Sequence, residues 1–361
     1  MAAPKIFHWW SNVGEEEIRR VSEAIRNKRL SAGPITEEFE RGVGAVLGLE
    51  HVAATTSGST AILMALIAAE VGPGDEVIVP NRTWIATAHA PWLLGAKPVF
   101  VDVLPDRPIM DVAQVEARIT PRTKAIIPVH LNGRSADMRT LSRIATKHGL
   151  KVIEDAAQAF GSHNADGPLG AQSFAGCFSL SVAKIITTGQ GGYVVTRDPE
   201  VGARLKAMRT HGVSDVINCA YTKPGFNFRF TDLLASIGLA QLEQLPERIR
   251  KVKAIYARYA AALPAFDFLR FLPADLAAGE VPIYIEVLCP QRDRLVAHLA
   301  ATGIQTRPFY PDLHTAPYFH DTGRYPNAEK FAAQGLFLPS GPDQPMENVE
   351  RVLAELARFQ P

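Results

Sequence analysis

The twenty residues AILMALIAAEVGPGDEVIVP, positions 61–80, change their period halfway. An apolar run of helix formers ends at Val71, Gly72, Pro73 and Gly74 break the chain, and EVIVP follows as a short β-branched run without polar alternation. A strand of that composition is buried on both faces, the situation of parallel strands joined by crossover helices. The unit repeats outward. TWIATAHAPWLLGA (83–96) precedes KPVFVDV (97–103), and TKAIIPVHL (123–131), ADMRTLSRIATKHG (136–149) and KVIEDAA (151–157) continue the alternation. GCFSLS (176–181) and GGYVVT (191–196) read as strands of the same sheet. The spacing predicts an α/β protein with a large, mostly parallel sheet.

Upstream, residues 14–30 carry Glu15, Glu16 and Glu17 first and Arg26, Lys28 and Arg29 last, with Ile18, Val21 and Ile25 at helical spacing. That charge order matches a helix dipole. Downstream, a long amphipathic stretch over 231–263 contains only Pro246 as a turn signal, and a helix is expected to begin near Thr60 in the earlier part. After 263 the texture changes to FDFLRF, VPIYIEVL and RDRLVAHLAATG, which reads as a second, smaller α/β unit. We divide the chain into 1–240, an amino-terminal segment with the large domain, and 241–361, the smaller carboxy-terminal domain.

Composition narrows the function. With 38 basic and 37 acidic residues among 361, the formal charge is +1, which leaves no broad electrostatic footprint for nucleic acid or an acidic membrane. Cys177, Cys219 and Cys289 form neither a CxxC nor a Cys/His cluster, so no disulfide framework or metal site is expected. The amino-terminal residues lack an apolar signal core and no run reaches about 18 apolar residues, so the expectation is a cytoplasmic protein. GxxxxGK[ST], HExxH and GxSxG patterns are missing, and GVGAVLG (42–48) misses the dinucleotide fingerprint.

Three places carry chemistry. TTSGSTAI (55–62) is a Ser/Thr/Gly cluster ahead of a helix, where free N–H groups and the helix dipole accept an anion, although a plain N-cap has the same look. Asp155 ends an apolar parallel strand, where open sheets hold ligands, although it could merely cap the next helix. Lys184 lies between the apolar run CFSLSVA and the turn-like ITTGQGG; a lysine in apolar surroundings becomes a nucleophilic amine, whereas one at a strand end snorkels outward. An anion cradle, a carboxylate and a lysine 29 residues later are the parts that pyridoxal phosphate needs: a phosphate site, a partner for the pyridine nitrogen and an amine for its aldehyde. His130 and His163, near predicted strand ends, read as structural histidines before cleft residues.

Beyond this pattern, GEEEIRRVSEAIRNKRLSAGP, SGSTAILMAL, GPGDEVIVP, TWIATAHA, KVIEDAAQAFGS, GCFSLSVAKIITTGQGGYVVT and GFNFRFTDLLASIGLAQLEQL together resemble the DegT/StrS sugar aminotransferases of pyridoxal-phosphate fold type I, from about residue 12 onward. The resemblance implies an aspartate-aminotransferase-like fold and a homodimer with shared active sites. It implies that Lys184 binds the cofactor and moves protons, that Asp155 pairs with the pyridine N–H, that Trp84 stacks on the ring and that Gln158 contacts the phenolic oxygen. Gly58, Ser59 and Ser179 would hold the phosphate, with Asn227 donated by the neighbouring subunit, and Arg229 would meet a substrate charge. KIITTG is most like the perosamine-synthase-like branch, which implies C4 amination of a nucleotide-linked keto sugar by L-glutamate, with 2-oxoglutarate formed, in deoxyamino-sugar and O-antigen synthesis. Alternatives are a pyridoxamine-phosphate-dependent sugar dehydratase, a branch that resembles the family with histidine at the lysine position, and a cofactor-binding regulator.

Overall fold

The structure, a computed structural model, describes residues 5–213, 220–221 and 223–361, so Cys219 lies outside the described residues. Its first nine strands are β1 (His51–Thr55), β2 (Glu76–Pro80), β3 (Lys97–Val101), β4 (Thr123–Ile126), β5 (Lys151–Asp155), a small hairpin of β6 (His163–Asn164) and β7 (Gly167–Pro168), β8 (Ala175–Ser179) and β9 (Gly192–Thr196). Seven of them form one sheet in the order β1-β9-β8-β5-β4-β2-β3. Only β9 runs against its neighbours, so the other six strands end on the same edge.

The β-branched runs explain the layering. Val77, Val79, Ile127 and Ile153 enter one apolar cluster, while Ile78, Val101, Ile126 and Val152 enter a second with Leu141 and Ile144 of the helix Met138–His148. Burial of both faces is what continuous apolar strands need. The helix Gly58–Ala68 is itself buried on most sides and packs on β8 and β9. It begins two residues before the expected Thr60 because Ser57 is the cap, its Oγ accepting from the Thr60 N–H at 3.1 Å.

Two helical stretches take their detail from the packing. The stretch 231–263 is two helices, Asp232–Glu243 and Leu245–Ala262, and Pro246 stands in the first turn of the second, where its missing N–H costs nothing. The helix Glu15–Arg26 turns Glu17 and Ala24 inward and leaves Ile18 and Ile25 each 54% exposed. Glu17 is drawn in because its carboxylate accepts from the Gly14 N–H at 2.8 Å and from Gln241 Nε2 at 2.6 Å.

A second, antiparallel sheet contains β10 (Arg270–Phe271), β11 (Ile285–Leu288), β12 (Arg307–Pro308) and β13 (Gly335–Leu338) in the order β10-β11-β13-β12. Its cluster of Ile285, Val287, Leu336 and Leu338 also takes in Ile6, and Ile6 and Trp9 bridge to Ile304 and Ser340. Among the described residues no helix is long and apolar enough to cross a membrane, and no group of three His, Cys, Asp or Glu is placed to hold a metal.

Candidate active site

The common edge where six strands end gathers the residues singled out above. Gly58 and Ser59 follow β1, Trp84 follows β2, Asp155 closes β5, Gln158 stands three residues later, Ser179 closes β8 and Lys184 follows it. All seven line one cavity of about 330 Å³. A larger surface hollow of about 470 Å³, between Arg107 and Asp166, contains none of them.

At one side of the cavity the helix Gly58–Ala68 presents its first turn. The N–H groups of Gly58 and Ser59 have no intrahelical acceptor, and Ser179 stands against them. A Cβ on Gly58 would lie 2.8 Å from the Ser179 Cβ, so the close approach of the helix start to the end of β8 requires glycine. The result is an uncharged set of donors at the positive end of a helix, which suits a phosphate.

Asp155 is 4% exposed. Burial pushes its carboxyl above the usual range, against the hydrogen bonds from Thr87 and Ala157 and the charge of Lys184. Thr87 Oγ1 donates to Oδ2 at 2.7 Å and the Ala157 N–H to Oδ1 at 3.1 Å. Thr87 was not picked out in the sequence; it lies one helical turn past Trp84 and its hydroxyl is what faces the carboxylate. Thr87→Val should therefore lower kcat/KM about tenfold through loss of a hydrogen bond to a charged group; unchanged steady-state kinetics would show that Asp155 is held without it.

Lys184 keeps part of its surface open to the cavity but is closely surrounded by protein. Burial pushes its amine down to about 8, opposed by Asp155 and helped by the positive charge of Arg307. Its loop is fastened from two distant regions: Tyr284 Oη donates to the Ala183 carbonyl at 2.7 Å, and Trp9 Nε1 to the Val182 carbonyl at 2.8 Å. Neither anchor could be read locally, since Tyr284 sits in an apolar run and Trp9 far upstream.

Gln158 accepts from the Asn132 N–H at 2.9 Å through Oε1, which leaves its Nε2 for the cavity. Asn132 adopts a left-handed backbone, φ 55°, and its side chain is bonded to Tyr284 on both ends: Nδ2 donates to the Tyr284 carbonyl at 3.0 Å and Oδ1 accepts from its N–H at 2.8 Å. Glu286, paired with the fully buried Arg134, takes a second Asn132 N–H. Asn132→Ala strips these bonds and strains the turn. A loss of about 2 kcal/mol in thermal stability is expected from the buried groups left unpaired, checked by thermal melting.

Trp84 lies in the loop before the helix Ala86–Leu93, is 49% exposed and meets the edge of Tyr310 at 5.0 Å between ring centres. With that exposure Trp84 is not packed as a core tryptophan. His130 is fully buried and outside the cavity; Nδ1 accepts from the Ala136 N–H at 3.2 Å and Nε2 donates to Glu154 at 2.9 Å. The structural reading of His130 holds. His163 lies in the small hairpin away from the cavity.

Asn227 and Arg229 do not line this chain's own cavity. They follow one another on an outer segment where Arg229 bridges to Thr55 and donates through Nε to Asn227 Oδ1 at 3.1 Å.

Comparison with known proteins adds to this geometry. The model of the DegT/DnrJ/EryC1/StrS aminotransferase family matches residues 11–357. A GDP-perosamine synthase of Caulobacter vibrioides is 37% identical over 334 residues, 90% of each chain. A pleiotropic regulatory protein of Geobacillus stearothermophilus is 36% identical over 362 residues, 95% of this chain and 94% of its own. The PLP-form structure of a putative sugar aminotransferase from Streptococcus pneumoniae superposes with a TM-score of 0.91 at 26% identity, covering 99% of this chain and 98% of the other.

Proposed function

From the premise that this chain belongs to the DegT/DnrJ/EryC1/StrS aminotransferase family and is a pyridoxal-phosphate-dependent sugar aminotransferase of fold type I, we propose that it aminates C4 of a nucleoside-diphosphate-linked keto sugar, with L-glutamate as donor, in deoxyamino-sugar synthesis for an O-antigen. The observation that carries the reading is the meeting of Lys184 and Asp155 in one cavity, beside an uncharged anion cradle. The residues fit the cofactor: a glycine that a Cβ would displace at the phosphate end, and a buried carboxylate opposite a lysine.

Pyridoxal phosphate supplies an electron sink for negative charge on the donor's Cα. In our reading Asp155 keeps a proton on the pyridine nitrogen, and Lys184 carries protons between the donor's Cα and the cofactor's C4′. Trp84 would cover one face of the ring, Gln158 would offer its Nε2 to the phenolic oxygen, and Gly58, Ser59 and Ser179 would hold the phosphate. Arg229 is assigned to a substrate charge. The two substrates take turns, so kinetics are ping-pong.

We assign Asn227 to the phosphate of a second copy. Its exposure, and the exposed Ile18, Ile25 and Phe226, support a homodimer that covers these apolar side chains. Asn227→Ala should weaken cofactor binding about tenfold in a dimer verified by light scattering; normal binding in that dimer contradicts the shared site.

C4 amination is favoured by the likeness to the Caulobacter GDP-perosamine synthase together with KIITTG. The test is incubation with isotope-labelled L-glutamate and a nucleotide-linked 4-keto-6-deoxy sugar. Label bound at C4 by NMR is expected, and label at C3 or none in the sugar contradicts it. The Geobacillus relative's name favours a second reading, a regulator that holds cofactor without turnover; the same incubation, yielding no labelled sugar despite full cofactor occupancy, supports that reading instead. Lys184, where the dehydratase branch resembles the family with histidine, weighs against dehydration.

A further inference from the structure

The Trp84 ring is half exposed, and its own contacts hold it weakly. No described residue accepts a hydrogen bond from its indole N–H; the ring meets the edge of Tyr310 and, 6.0 Å away, the Arg307 guanidinium. Behind it lies an apolar hollow of about 340 Å³, walled by Ile85, Pro311, Leu313 and Ala316, which shares Thr83, Trp84 and Tyr310 with the active-site cavity. The Trp84–Tyr310 pair is therefore a partition with space on both sides. The chain around it is held far more firmly. Asn81 and Arg82, just upstream, are buried and tied across to the segment after β12. Asn81 accepts from the Leu313 N–H at 3.0 Å through its carbonyl and from the His314 N–H at 2.9 Å through Oδ1. One terminal nitrogen of Arg82 donates to the Tyr310 carbonyl at 2.9 Å and to Asp312 Oδ1 at 2.8 Å, while the guanidinium lies 5.0 Å from the centre of Phe309.

We propose that Arg82 is a positioning residue: by gripping Asp312 and the Tyr310 carbonyl it sets Tyr310 against Trp84, and so keeps the Trp84 ring over the cofactor and out of the hollow behind. The inference rests on the assignment of Trp84 to the ring face. Both cavities offer an indole apolar surface, so burial alone does not choose between them. The choice is made by where residue 84 and Tyr310 stand, and one planar cation holds the two chain segments together. Two other roles for Arg82 fit less well. It lines neither cavity, so it does not meet substrate. A role in stability alone is poorly served by a buried ion pair, because desolvating two charges offsets their attraction and an apolar pair of similar volume serves as well. What an apolar pair cannot reproduce is the bond to the Tyr310 carbonyl, and that bond is the one that reaches the partition.

Two properties of bound pyridoxal phosphate test this without turnover: its Kd, and the circular dichroism of its visible band, which reports how asymmetrically the ring is held. Arg82→Met combined with Asp312→Leu leaves no buried charge unpaired, so this double variant is expected to fold with a thermal midpoint close to wild type. Its Kd should rise about tenfold as the ring contact is lost, and its dichroic band should fall to about half or less. Arg82→Lys keeps a charge beside Asp312 but lacks the planar fork, and should fall between the double variant and the wild type. Trp84→Ala should show the losses of the double variant, and adding it to that variant should change the Kd by less than about twofold more, because both remove one contact. A wild-type Kd and a full band in the double variant overturn the proposal, as do the same values in Arg82→Lys if the double variant fails to fold. So do losses that multiply in the combined variant, which make Arg82 and Trp84 independent. Trp84→Ala with wild-type values in both measurements removes the assignment of Trp84 itself, and the proposal falls with it.

Discussion

Lys184→Ala is expected to lower the rate of amino transfer from L-glutamate at least about 10³-fold while the protein stays folded, because alanine removes the one amine that faces Asp155 in the cavity and with it the proton carrier. Folding should survive because the wild-type amine is itself poorly solvated: burial holds it at about 8 against an ordinary 10.5. In the cofactor-free protein a protonated Lys184 is therefore a burden below pH 8. Between about 8 and 10.5 the unfolded chain binds the extra proton, so this burden is relieved as pH rises through that window. The same shift sets a second observable. The neutral amine is the nucleophile, so the rate at which apo-protein captures pyridoxal phosphate should rise with pH through about 8 and flatten above it. Lys184→Arg, cationic but not nucleophilic at these pH values, should be as inactive as the alanine variant. Full transamination by either variant contradicts the assignment.

Asp155→Asn should fold, bind pyridoxal phosphate at Lys184 and lose about 10³-fold in turnover. The replacement is nearly isosteric, and its carbonyl oxygen can still accept from Thr87 or Ala157. What it cannot do is carry a negative charge opposite a protonated pyridine nitrogen in a site that is almost dry. Breaking a buried charge pair from one side costs about 3–5 kcal/mol, which as a barrier difference is roughly 10²–10⁴ in rate. Circular dichroism that matches wild type beside that loss separates a role in the reaction from a role in folding. Turnover within tenfold of wild type would sink the claim that Asp155 maintains the electron-accepting form of the ring.

The placement of the cavity was legible because apolar runs such as EVIVP and KVIED mark strands, and in an open parallel sheet the strand ends share one edge. Residues just past such runs therefore gather along the same edge, and Gly58, Trp84, Asp155, Ser179 and Lys184 all line the cavity there. Arg307, Tyr284 and Tyr310 were not legible on those terms. They reach the cavity from the second sheet and the loop after it, and nothing in TRPFY or VPIYIEVL announces which other segment those side chains will meet. Which face of the helix Glu15–Arg26 is buried was not legible either. Ile18 and Ile25 have the spacing of a core stripe, but Glu17, one position away, is turned inward by Gln241 and by the Gly14 N–H, and the helix rotates with it. Periodicity reports which side chains share a face; the partner decides which face is buried.

The measurement that tests the account most directly is the absorbance spectrum of the wild-type protein loaded with pyridoxal phosphate, before and after L-glutamate. The pyridoxal and pyridoxamine forms of the cofactor absorb at different wavelengths, so one titration reads both the cofactor and the first half of the reaction. The account predicts that the pyridoxal band disappears with glutamate, that the pyridoxamine band replaces it, and that 2-oxoglutarate reverses the change. A pyridoxal band that persists at saturating glutamate, or no bound-cofactor band at all, would contradict it.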